Sequence, residues 1–181
     1  DILVFLSGAG AIHAVASRLS AHQQQNDYII HTLYGAMGKQ AQQAAIAPDP
    51  QGQRKVILAT NIAETSLTIE GVKVVIDSLW ENSAEFHPSS GLTQLTQTRI
   101  SKASAIQRTG RAGRVSEGVC YRLSAKESFE RFAEHSAPQI LREDVAPLLL
   151  ETLNWGTHFS NLAMLTQPSK AQSAIAIKAL E

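Results

Sequence analysis

Eight residues, Gln107 to Arg114 (QRTGRAGR), carry three arginines spaced by three, with glycines between them. On a helix this spacing sets Arg108, Arg111 and Arg114 along one side. A guanidinium keeps its charge and meets phosphate through two parallel hydrogen bonds, so the group suits a phosphoryl unit in transfer. Gly110 and Gly113 permit close backbone approach. The competing reading is structural, with an arginine here paired to Glu64, Glu70 or Asp77. A second segment, Ala59 to Val72 (ATNIAETSLTIEGV), packs Thr60, Asn61, Thr65, Ser66 and Thr68 into nine residues. Hydroxyls and amides at a helix start are short donors suited to phosphate oxygens. The same letters also fit a polar loop in which Thr65 caps a helix.

Other chemistries find no support. No phosphate-cradling Gly-x-x-x-x-Gly-Lys-Ser/Thr loop is present, because Met37-Gly-Lys-Gln40 lacks both the spacing and the hydroxyl. There is no Asp-Glu-Ala-His box and no Gly-x-Ser-x-Gly elbow. The six histidines are scattered and Cys120 is the only cysteine, so no metal site is expected and no internal disulfide can form. Gly8-Ala-Gly10 lacks the third glycine and the distant acid of a dinucleotide fingerprint.

The elements that must hold these residues read as an α/β sequence. Ile2–Leu6, Tyr28–Tyr34, Lys55–Ala59, Val72–Asp77 and Gly118–Leu123 are short, nearly continuous apolar runs. Such runs mark strands covered on both faces, as in a parallel sheet with intervening helices. Helical spacing is expected at 11–22, 39–46, 101–113 and 126–134. Residues 79–100, with His87-Pro-Ser-Ser-Gly91 at the middle, read as an antiparallel hairpin. Its Trp80 and Phe86 could stack on bases or pack against a neighbouring domain. Cys120 reads as a buried thiol in a strand. From Pro138 only helices are expected, at 141–155 and 169–180, which places a boundary at 137/138.

The two polar segments together resemble motifs V and VI of superfamily 2 helicases of the DEAH-box branch. Thr60 to Ile69 is similar to motif V almost letter for letter, and Gln107 to Arg114 to motif VI. Val4-Phe-Leu-Ser-Gly8 resembles motif IV, and Leu33-Tyr-Gly35 with the helix after it resembles motif IVa. Ala45 to Gly52, Gly118 to Leu123 and Ala146 to Glu151 resemble the bacterial HrpB group. The resemblance implies a RecA-like parallel sheet with helices on both faces and an inserted hairpin, over 1–137, then the truncated start of a winged-helix domain, over 138–181. It implies that Gln107, Arg111 and Arg114 face the β- and γ-phosphates of an NTP, with Arg111 most like an arginine finger. Ser66 and Glu70 are implied near the nucleotide and its attacking water. Thr60, Asn61 and Gly8 are implied on the nucleic-acid backbone, and Arg108 could point inward. ATP or another NTP, with Mg2+, is implied to sit mainly on a first RecA-like domain. Single-stranded RNA is the implied partner. Ile46 to Pro50, the loop before motif V, has no aromatic, which implies weak base selectivity from this side.

The 181 residues balance 16 Lys and Arg against 16 Asp and Glu, which excludes a uniformly basic nucleic-acid binder. The balance hides blocks: residues 86–116 hold five bases and no acid, between two anionic stretches. No apolar run approaches the roughly 20 residues of a membrane span. No leader is visible at Asp1, and a cytoplasmic location is expected. Asp1 begins inside a strand and Glu181 ends inside a helical pattern, so a segment of a longer protein is expected, inactive by itself. The rival readings are a non-catalytic nucleic-acid-binding module and a fragment that folds but does nothing alone.

Overall fold

The computed structural model describes residues 1–22, 28–65, 67–113 and 117–180. Five strands, β1 (Ile2–Phe5), β2 (Tyr28–Leu33), β3 (Arg54–Ala59), β4 (Val74–Asp77) and β7 (Val119–Arg122), form one sheet in the order β2-β3-β1-β4-β7. Every pairing is parallel. The register sets Phe5 beside Ala59 and Asp77, and Leu33 beside Ala59, so the carboxyl ends finish level. Whatever follows those ends shares one edge of the sheet, the place where open parallel sheets bind ligands.

Alternate strand residues serve opposite faces. Leu3, Phe5, Ile57, Ala59 and Val75 pack with Ala45 of α2 (Lys39–Ile46) and Ala63 of α3 (Ile62–Thr65). Val4, Leu58 and Ile76 pack with Ile12, Val15 and Leu19 of α1 (Ala9–His22). Helices therefore cover both faces, and strands buried on two sides need the continuous apolar runs seen in the sequence. Lys55 is buried at 1% exposure, and its Nζ donates to the carbonyls of Ala45, Ile46 and Ala47. It thereby closes the carboxyl end of α2, whose last carbonyls have no helical partner.

β5 (Trp80–His87) and β6 (Leu92–Arg99) form a separate two-stranded sheet. The short connection requires antiparallel pairing. Ser90 and Gly91 both donate their N–H to the His87 carbonyl, and Gly91 takes a φ of 65°, which glycine adopts without strain.

Helix α4 (Lys102–Thr109) starts at Ser101, whose side chain accepts the Ser104 N–H. It is shorter than the 101–113 expected. Gly110 caps it, and Arg111 and Ala112 continue in turns bonded back to Arg108 and Thr109. α5 (Lys126–Glu130) also stops early. The chain after it turns so that the Ala133 and Glu134 carbonyls accept the first free amides of α4, those of Lys102 and Ala103. Cys120 is half-buried, packed on the core and bonded by the Thr109 hydroxyl.

The chain divides into two compact units, 1–82 with 97–136, and 83–96 with 137–181. In the second, a short 3-10 turn (Gln139–Leu141) precedes α6 (Ala146–Asn154), and another (Phe159–Asn161) precedes α7 (Lys170–Leu180). The single helix expected over 141–155 is thus two elements. Pro147, which has no N–H, sits in the first turn of α6, where no donor is needed. Val145, Leu149, Phe159 and Ala176 form the core of this unit. Among the described residues no helix is long and apolar enough to cross a membrane.

Candidate functional site

At the level carboxyl ends of the strands, β3 delivers Thr60 and Asn61, and β1 delivers Ser7 and Gly8. The Thr60 N–H donates to the Leu33 carbonyl, extending the ladder by one bond. The Asn61 carbonyl accepts Glu64 N–H and so opens α3, leaving the Asn61 side chain exposed. The Gly8 carbonyl accepts Ile12 N–H and opens α1. A Cβ on Gly8 would lie 2.4 Å from Nδ2 of Asn82, whose own N–H donates to the Ser7 carbonyl. The three residues implied on a nucleic-acid backbone therefore share one edge.

The two polar segments meet at a cleft of about 350 Å³ lined by Glu64, Thr65, Gln107, Gly110 and Arg111. Gln107 is exposed on the last turn of α4. Arg111 is only 6% exposed. Its Nε donates to the Glu64 carbonyl at 2.9 Å, and its two terminal nitrogens reach the carbonyls of Leu67 and Glu64. A Cβ on Gly110 would make only ordinary contacts, 3.4 Å at the nearest, and one on Gly113 would meet nothing within 4 Å. Packing within the chain leaves both positions open to a side chain, which fits glycines kept for an approach from outside. Ser66 and Arg114 lie outside the described residues. Glu70 is exposed in the turn before β4, beside Gly71, whose carbonyl accepts the amino terminus of Asp1. It stands towards the other end of the segment from the cleft.

Arg108 follows the structural reading. It is fully buried, with Nε 2.9 Å from Glu64 Oε2 and Nη1 3.0 Å from Asp77 Oδ1. Its Nη2 lies 3.7 Å from Glu81 Oε2, and its guanidinium sits over the Phe5 ring. Asp77 is also fully buried, and desolvation raises its pKa above the ordinary 3.8 against the opposing pull of Arg108 and the Leu79 amide. The sequence offered Glu64 and Asp77 as possible partners but said nothing of Glu81 or Leu79. The signal for Asp77 was an acid ending an apolar strand, where a buried charge needs a partner. Trp80 is taken up within the same unit, with the Arg99 guanidinium 3.8 Å from its ring centre. Among the described residues no group of three or more His, Cys, Asp or Glu is placed to hold a metal ion.

The family model for the helicase conserved C-terminal domain matches residues 1–116. HrpB of Escherichia coli, an ATP-dependent RNA helicase, is 48% identical over 169 residues, 93% of this chain and 21% of that protein. HrpA of Borreliella burgdorferi, also an ATP-dependent RNA helicase, is 38% identical over 182 residues, 100% of this chain and 22% of that protein. The crystal structure of the Escherichia coli DEAH/RHA helicase HrpB superposes with a TM-score of 0.93 at 46% identity, over 99% of this chain and 23% of that one. The chain thus spans about a fifth of the length of these relatives. The chain therefore belongs to the helicase conserved C-terminal domain family, in its DEAH/RHA branch.

Proposed function

We propose that this chain is the second RecA-like half of an ATP-dependent RNA helicase, and that residues 138–181 begin a winged-helix domain. The observation that carries the reading is the convergence of Gln107, Gly110 and Arg111 with Glu64 and Thr65 at one small open cleft. A guanidinium, an amide and an open glycine backbone fit the phosphate end of a nucleotide, whose charge they would neutralise and whose oxygens they would bond. The Glu64 carboxylate is already engaged by Arg108, so this wall supplies no free carboxylate for Mg2+. The metal and most of the nucleotide belong to a first RecA-like domain in this reading. In this reading Ser66 and Arg114 belong to the nucleotide side, Glu70 stands away from it beside Gly71, and Thr60, Asn61 and Gly8 hold the backbone of single-stranded RNA.

Arg111 acts as the finger in this reading. It is held here on the Glu64 and Leu67 carbonyls, so reaching a phosphate means exchanging those acceptors for phosphate oxygens. That exchange replaces neutral acceptors by charged ones, and charge-assisted bonds are roughly twice as strong as neutral ones. In the full-length protein, Arg111→Ala is expected to lower RNA-stimulated ATP hydrolysis by on the order of 10³-fold while ATP binding survives. Steady-state turnover and nucleotide titration measure the two, and unchanged turnover would remove the finger from Arg111.

A further inference from the structure

Arg108 has no phosphate to meet, yet it joins three segments that the function must move together. Through Nε it holds Glu64, a wall of the cleft. Through Nη1 it holds Asp77 at the end of β4 and reaches the Trp80 carbonyl at the start of β5. Asp77 in turn accepts the Leu79 N–H at 2.8 Å. Leu79 has a φ of 64°, a left-handed conformation costly for a residue with a Cβ. Its side chain is fully buried against Ile100 and Ala105 of α4, which keeps it there. Three residues after Leu79, Asn82 bonds the Ser7 carbonyl and abuts Gly8 on the nucleic-acid edge.

We infer that Arg108 is a positioning residue that transmits displacement of the cleft wall at Glu64 to the Leu79 turn, and from there through Asn82 to the Ser7–Gly8 edge. The inference rests on the helicase reading above. Arginine is needed because one planar guanidinium must bond Glu64 and Asp77 in fixed directions, which a lysine ammonium on a flexible stem does not reproduce. The fully buried pair of Arg108 and Asp77 gives the linkage its stiffness, since removing one partner leaves an uncompensated charge. Motion at either end therefore moves the other instead of breaking the link.

The test uses the full-length protein with Arg108→Lys, and separately with Asp77→Asn, which keeps the shape and an acceptor for the Leu79 amide. RNA-stimulated ATP hydrolysis and unwinding of an overhang duplex are measured side by side. For both variants kcat and KM for ATP are expected within about threefold of the unaltered protein, while the unwinding rate falls about tenfold or more. More ATP is then spent per duplex opened. Parallel loss of hydrolysis and unwinding, whether from a disabled site or from unfolding, assigns the cluster to stability alone and overturns the inference. Unchanged unwinding overturns it as well. Absence of hydrolysis in the unaltered protein is a different result, which removes the helicase reading and the inference with it.

Discussion

Gly118 shows how a single residue outside either polar segment sets the site. A Cβ there would lie 2.1 Å from the carbonyl oxygen and 2.6 Å from the carbonyl carbon of Ala112. Both atoms are backbone, so the clash cannot be relieved by turning a side chain, and Ala112 is the neighbour of Arg111. Gly118→Ala is expected to cost about 1–3 kcal/mol of unfolding free energy in urea titration of the 181-residue chain, beyond an ordinary surface change. A cost under about 0.5 kcal/mol would mean that the Ala112 approach is looser than described. Legibility at this scale was uneven. Spacing pointed to Arg108, Arg111 and Arg114 as one phosphate-facing group and the family resemblance added Gln107; Gln107 and Arg111 line the same cleft. Arg108 carries the same letter at the same interval and goes inward, because interval alone does not tell which side of a helix has the buried acids. Lys55 read as the start of an apolar strand, whereas it is buried with its Nζ on the carbonyls of Ala45, Ile46 and Ala47 at the end of α2.

Elements follow the same rule: what local pattern dictates was legible, and what tertiary partners dictate was not. The central strands β1, β3 and β4 were readable because burial leaves an unbroken apolar run, while the edge strand β7 carries its apolar residues largely exposed. The end of α5 was not, because the Ala133 and Glu134 carbonyls, inside the helix expected to Glu134, are recruited by the amides that begin α4. The turn from β4 into β5 is another such case. Nothing in Asp77-Ser-Leu-Trp80 announces a left-handed leucine, which is held by the Asp77 carboxylate and by packing on Ile100 and Ala105. Two opposing effects meet at Leu79. Truncation opens a cavity costing about 2–5 kcal/mol, and glycine alone removes the left-handed penalty of roughly 1–2 kcal/mol. Leu79→Gly and Leu79→Ala should therefore both destabilise the chain, with glycine the milder by about 1 kcal/mol, the reverse of their order in a helix or strand. Urea titration of the two variants checks this, and alanine proving the more stable would show that the turn relaxes when the side chain is cut.

For the whole molecule the informative quantity is where the balanced charges go. The acid-free block 86–116 holds five bases, and its described ones are largely committed. Arg108 is enclosed by Glu64, Asp77 and Glu81, Arg111 is held on carbonyls, Lys102 pairs with Glu134 at 2.6 Å, and Arg99 covers Trp80. Binding to a nucleic-acid strand gains most of its sequence-independent affinity from counterions released when basic side chains neutralise phosphates. With its described cations so engaged, this block has few to offer, and the groups assigned to the RNA edge, Thr60, Asn61 and Gly8, are uncharged hydrogen-bonding groups. If no more than about two phosphates are neutralised, the log-log slope of affinity against salt is about −1.4 for a single strand, since each neutralised phosphate contributes about −0.7. Fluorescence anisotropy of a labelled single-stranded RNA, titrated with the 181-residue chain over a salt series, should give that shallow slope and weak binding at every point. A slope of about −4 or steeper would require five or six neutralised phosphates and a basic surface elsewhere in the chain. The shallow result would instead assign the grip on RNA to the remaining four-fifths or so of a protein the length of the relatives.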